Sequence, residues 1–188
     1  MDNRQNILDQ ALLLFAAKGY EAVGVEQVVR AAGVTKPTLY HYFGSKAGLL
    51  DELLQINFLA LMDQVRPAAN YQGDLPLTLY RLAGAYFNFA NKYPDFYRLQ
   101  LSLWLGPAAS EASLAVRPWG LRQQEMLVAL FIAAANDHGN MKGRHRRYAV
   151  SYLGQVNTFI GLVLNGYLEP GDELVFNLVH QFMHGIYS

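Results

Sequence analysis

Residues Val25 to Gly44 read VEQVVRAAGVTKPTLYHYFG. The stretch spells two short helices separated by a tight turn. Val25, Val28, Val29 and Ala32 recur at helical spacing and give the first helix one apolar face. Gly33 supplies the backbone freedom of a sharp turn. Thr35 suits the N-cap of the second helix, and Pro37 falls in its first turn, where a missing N–H does no harm. Leu39, Tyr42 and Phe43 are expected inward, which leaves Lys36, Thr38, Tyr40 and His41 for the other side. A short polar and aromatic helix held across another is the geometry of a helix-turn-helix, whose second helix enters the DNA major groove.

Working outward, a helix is expected from Asn3 to Lys18, with Ile7, Ala11, Leu14 and Phe15 as its buried stripe and Gly19 as its stop. Ser45 caps a long fourth helix that runs to Arg66, where Pro67 ends it; Leu49, Leu50, Leu53, Leu54, Phe58 and Leu61 are its apolar positions. Further helices are expected over Leu75–Lys92, Asp95–Leu105, Pro118–Asn136, Arg144–Leu168 and Gly171–Ile186. Tyr86, Phe87 and Ala90 face inward on the first of these. No alternating strand pattern competes. The chain therefore reads as all-α, with about nine helices, divided into an N-terminal three-helix domain over residues 1–48 and a helical domain over 49–188.

The run GYEAVGVEQVVRAAGVTKPTLYHYFGSKAGLL, Gly19 to Leu50, resembles the DNA-binding segment of the tetracycline-repressor (TetR) family of bacterial transcription regulators. The Gly-Tyr after the first helix, the A-G-V-T-K turn, the T-L-Y-H-Y-F helix and the S-K opening the next helix carry the likeness. Gly24 departs from it, standing where a Ser or Thr commonly caps the second helix, and Gly48 replaces an acidic residue that would complete a capping box with Ser45. The resemblance implies a double-stranded DNA operator as partner, contacted by Gly24, Thr35, Lys36, Pro37, Thr38, Tyr40, His41, Tyr42 and Lys46. It also implies a homodimer, built as a four-helix bundle from the last two helices of each subunit. Tyr152, Gly154, Val156, Phe159, Gly161, Leu178, Phe182 and Ile186 are the interface candidates, on helices apolar over more than one side.

Aromatic residues crowd the middle of the chain, where this family holds a small-molecule effector. Tyr86, Asn88, Phe89, Arg98, Trp104 and Gln123 are the ligand candidates, although plain core packing accounts as well for any single one. Little charge lies among them, so the effector implied is small and hydrophobic or aromatic. The function implied is a ligand-responsive regulator, a repressor released from a palindromic operator. The alternative is a ligand-sequestering or partner-binding helical protein whose DNA-binding head is vestigial.

Charge supports that alternative. The 188 residues carry 15 basic and 15 acidic side chains, and the first 50 residues are nearly neutral, so non-specific DNA affinity is expected to be modest. Cysteine is absent, which excludes disulfides and thiolate metal sites. His180 and His184 share a helical face but enclose no acidic residue, and neither metal nor cofactor is expected. Lys142, Arg144, His145, Arg146 and Arg147 form the densest basic cluster, unfavourably placed at the positive end of a helix dipole. No apolar run is long enough for a membrane span and MDNRQNILDQ lacks the form of a signal peptide, so a cytoplasmic protein without membrane partner is expected. No nucleophile elbow, phosphate loop or triad suggests catalysis.

Overall fold

The computed structural model describes residues 2–185. Nine α-helices and one 3-10 turn form among them, and no strand. The helices are α1 (Asn3–Lys18), α2 (Val25–Ala32), α3 (Lys36–Phe43), α4 (Lys46–Ala68), α5 (Leu75–Lys92), α6 (Pro94–Trp104), α7 (Glu111–Asp137), α8 (His145–Leu164) and α9 (Asp172–His184). The 3-10 turn, Gly139–Met141, precedes α8. No helix among the described residues is long and apolar enough to cross a membrane.

The chain divides into two compact units, Met1–Leu59 with Tyr93–Trp119, and Ala60–Lys92 with Gly120–Ser188. Helices α4 and α7 each pass from one unit into the other.

In the first unit α1 packs on α2 and α6. Asp2 caps α1 by accepting from the Arg4 amide at 3.0 Å, and Gly19 ends it with φ 81°. The buried stripe is Ile7, Leu8, Ala11 and Phe15; Leu14 is only half-buried, because the packed face is rotated toward Leu8. Phe58 of α4 sits at the centre of an aromatic cluster, edge-on to Phe96 at 5.1 Å and stacked on Trp119 at 5.3 Å.

In the second unit α5 packs on α8 and α9. Leu79, Leu82, Tyr86 and Phe89 of α5 are buried, as are Tyr152, Val156 and Ile160 of α8 and Val175, Leu178 and Val179 of α9. Phe87, expected inward, is half-buried, and Phe89 takes the inner position instead.

Three helix ends differ from expectation. Pro67 lies inside the last turn of α4, which runs on to Ala68. Helix α7 begins at Glu111 and carries Pro118 in its interior. Ser110 precedes it and accepts the Ser113 amide at 3.1 Å, so the start is capped by a residue other than the proline. Helix α8 stops at Leu164, because Gly166 enters the left-handed region at φ 73° and the Tyr167 amide bonds back to Leu162 O at 2.9 Å.

Candidate nucleic-acid interface and ligand clefts

The head is locked before any side chain is offered to a ligand. Gly33, at φ 65° and ψ 28°, turns the chain out of α2, and the Val34 amide returns to Val29 O at 3.0 Å. Asn6 of α1 donates to the Ala32 carbonyl at 2.7 Å, pairing a helix-end carbonyl that has no partner within α2. Gly24 brings no side-chain acceptor, but the Gln27 side chain reaches back and accepts its amide at 2.9 Å. Ser45 caps α4 by accepting the Gly48 amide at 2.9 Å, so the cap survives without an acidic partner.

On α3, Leu39 and Phe43 are buried, and Lys36, Pro37, Tyr40, His41 and Tyr42 are exposed. Tyr42 was expected inward for packing; it stands outward beside His41, with ring centroids 5.3 Å apart. The outward reading as a contact residue is the one its 38 % exposure allows. Thr35 is the N-cap, yet its hydroxyl does not bond the α3 backbone. It meets the Thr38 hydroxyl at 2.9 Å, while the Thr35 carbonyl takes the Thr38 and Leu39 amides.

Two lysines are less free than their sequence positions suggest. Lys36 pairs with Glu26 of α2, Nζ to Oε1 2.5 Å, and this carboxylate holds the ammonium's pKa above its ordinary value. Lys46 donates to the Tyr20 carbonyl at 2.9 Å and lies 3.9 Å from the centre of the Tyr20 ring. The Tyr20 hydroxyl in turn bonds Glu111, the first residue of α7. Burial, then the Glu111 carboxylate, raises the Tyr20 pKa. Of the contacts in the head, the Ser45 cap was read from the sequence, and the Gln27 cap, three positions after Gly24, has a local signal that the reading passed over. Tyr20 and Lys46 lie 26 positions apart, and no local pattern joins them.

The ligand candidates divide between the units. Arg98 and Trp104 belong to the first, where both are exposed and Arg98 lies 3.8 Å from Asp95. Tyr86, Asn88, Phe89 and Gln123 belong to the second. Asn88 lines a cleft of about 540 Å³ along α5, together with Arg81, Gly84, Phe87, Ile160 and Asp172. Tyr86, Phe89 and Gln123 are core residues. The Tyr86 hydroxyl has no hydrogen-bond partner among the described residues, and burial raises its pKa. A second, smaller pocket of about 280 Å³ lies among Leu75, Phe131, Met141, Tyr148, Phe182 and Met183.

The interface candidates divide by face. Tyr152, Val156 and Leu178 are buried within the chain itself, and the Tyr152 hydroxyl bonds Leu79 O at 2.5 Å. They are corrected to core positions, since their spacing puts them on the side of α8 and α9 that packs on α5. Phe182 is half-buried against Tyr152 at 5.3 Å and Phe131 at 6.1 Å. Gly154 is exposed, and Phe159 and Gly161 are half-buried. Ile186 lies outside the described residues. The His180 and His184 rings are 4.6 Å apart and exposed, and no three His, Cys, Asp or Glu side chains converge among the described residues.

A model of bacterial regulatory proteins of the tetR family matches residues 7–53. The chain is 34% identical over 98 residues to the HTH-type transcriptional activator FasR of Mycolicibacterium smegmatis, covering 52% of this chain and 45% of that one. It is 42% identical over 52 residues to the HTH-type transcriptional repressor KstR2 of Rhodococcus jostii, covering 28% and 26%. The matched part thus spans less than half the length of these curated relatives. The fold is that of the fatty acid degradation regulator FadR from Bacillus halodurans, with TM-score 0.82, 20% identity and coverage of 100% and 97%. FadR from Bacillus subtilis, solved in complex with stearoyl-CoA, has TM-score 0.81 at 18% identity and coverage of 97% and 99%. The helix-turn-helix built as described lies within residues 7–53, the part of the chain that matches the model of the tetR family of bacterial regulatory proteins.

Proposed function

We propose that the chain is a ligand-responsive DNA-binding transcriptional regulator, a cytoplasmic homodimer that represses from a palindromic operator and is released by a small hydrophobic effector. The outward face of α3 carries this reading. Tyr40, His41 and Tyr42 are exposed on a helix whose other face is fully packed, which is how a recognition helix presents side chains to a major groove. Thr35, Pro37 and Thr38 fill the rest of that face, with Gly24 at the start of α2. Paired as they are, Lys36 and Lys46 would exchange or share their partners with phosphates on binding.

The effector's place in this reading is the cleft along α5. Gly84 leaves open space where a Cβ would stand, and Phe87 and Ile160 offer apolar walls. Helix α4 begins in the head at Lys46 and ends in the second unit, so a shift of its far half reaches the recognition helix through the backbone. The ligand acts only to the extent that it binds the DNA-incompetent arrangement more tightly.

A gel-shift titration against the chain's own promoter region tests the proposal, with Tyr42→Ala as control. A discrete shift, steeply weakened by salt and lost in the control, is expected. No shift from folded, effector-free protein would favour the sequestering reading, for which the internally engaged Lys36 and Lys46 are the specific support.

A further inference from the structure

The basic cluster before α8 finds no role in DNA reading or in the α5 cleft. Between His138 and Leu168 the chain carries Lys142, Arg144, Arg146 and Arg147 and no acidic residue. All four are exposed, and none enters an ion pair among the described residues. Four unpaired like charges within six positions repel one another, and the first turn of a helix worsens this. No ion pair among the described residues offsets the cost.

The smaller pocket adjoins this cluster along the chain. Met141, which lines it, directly precedes Lys142, and Tyr148, which also lines it, follows Arg147. Arg144 is the N-cap of α8, and its carbonyl accepts the Tyr148 amide at 3.1 Å, so the two stand one turn apart on the same side. The walls are mostly apolar and soft, with His138 as a polar member: Phe131, with the Tyr148 and Phe182 ring centroids 5.7 and 6.1 Å from its own, and Met141 and Met183. None of its lining residues is shared with the α5 cleft.

We propose that this pocket and its cationic rim form a second binding site, for an amphipathic anion whose apolar chain enters among Phe131, Tyr148 and Phe182 and whose carboxylate or phosphate rests on Lys142, Arg144 and Arg147. A neutral apolar ligand would leave the four cations uncompensated, and a bare inorganic anion would leave the apolar walls wet. A methylene occupies about the ~30 Å³ of a liquid water, so the pocket's roughly 280 Å³ accepts a chain of about nine carbons with the charged carbon at the rim. Arg144 offers a planar fork suited to a carboxylate or phosphate.

Calorimetric titration of the full chain with decanoate and with decanol tests the site. One decanoate per chain is expected, bound at least tenfold more tightly than decanol. The Lys142→Gln/Arg144→Gln/Arg147→Gln variant should lose that preference while keeping its decanol affinity and its thermal midpoint. A matched variant, Lys18→Gln/Arg66→Gln/Arg117→Gln, removes the same charge elsewhere and should bind decanoate as the parent does. Equal affinity for the two probes, unchanged decanoate binding in the first variant, or equal loss in the second would each overturn the proposal. Gel shifts with the first variant separate this from the DNA reading, because none of its three positions is on the head.

Discussion

Lys46 shows how a residue's position and its engagement come apart. The sequence places it at the start of α4, where a phosphate contact is expected, and it does stand there. The structure also folds its ammonium onto Tyr20, by one hydrogen bond and one ring face. A charge-assisted bond to a carbonyl and a part-exposed cation–π contact together stabilise by about 1–2 kcal/mol. Lys46→Gln should therefore lower urea-unfolding stability by about that amount, apart from any effect on DNA. An unchanged midpoint would mean the ammonium is not held on Tyr20 in solution. Tyr86 and Tyr152 make a second residue-scale contrast. Both are fully buried, but among the described residues only Tyr152 has a partner for its hydroxyl. Tyr152→Phe should cost about 1 kcal/mol, whereas Tyr86→Phe should be neutral or stabilising by up to about 1 kcal/mol, since it removes a buried hydroxyl that bonds nothing. Paired thermal melts check the difference in sign. Sequence could not have told them apart, because both occupy inward helical positions and only the fold decides which finds a carbonyl.

At the scale of the element, α7 departs most from its sequence reading. Pro118 is a legitimate first-turn residue, and taking it so gave a helix starting there. The structure runs α7 through it from Glu111. Proline inside a helix leaves the carbonyl four residues earlier, Leu114 O, without its donor, and its ring crowds that carbonyl. Both Leu114 and Pro118 are exposed, so water takes the acceptor and the helix persists. Pro118→Ala restores the bond and should raise stability by about 1–2 kcal/mol, read as a higher denaturant midpoint at unchanged slope. No gain would mean that the proline's stiffening of the unfolded chain offsets the lost bond. The helices read most closely, α1, α2, α3 and α5, are those whose ends carry unambiguous local signals: Gly19, Gly33, Gly44 and the Tyr93–Pro94 break. The end of α8 was expected at Leu168, just before the turn-forming Glu169-Pro170-Gly171, with Gly166 passed over. Either can stop a helix, and the nearer left-handed glycine did.

At the scale of the whole molecule, the open question is what covers the outward side of α8. Of the interface candidates Tyr152, Val156 and Leu178 are core, so the dimer proposal rests on those left at the surface, Gly154 and Gly161 among them. Val150, 60 % exposed, Gly154 and Gly161 lie on or near that outward side, and Phe176 of α9 is 57 % exposed. Gly154 is the telling position. A glycine inside a helix costs about 1 kcal/mol relative to alanine, yet a Cβ there would meet nothing within 4 Å. The chain on its own therefore gives no reason for it, whereas a helix from a second copy passing close by would. Gly154→Leu separates the two accounts. Within one subunit the leucine points into open space and raises helix propensity, so secondary structure should be kept. Against a closely packed partner it acts as a wedge, and sedimentation equilibrium should show a dimer turned monomer. Operator affinity should fall with it, since a monomer grips one half-site where a dimer grips two about one DNA turn apart. Val150→Asp should do the same by burying a charge at the same face. Should Gly154→Leu remain as dimeric as the parent, α8's outer stripe would not be the interface, and the exposed face of α9 around Phe176 would have to supply it.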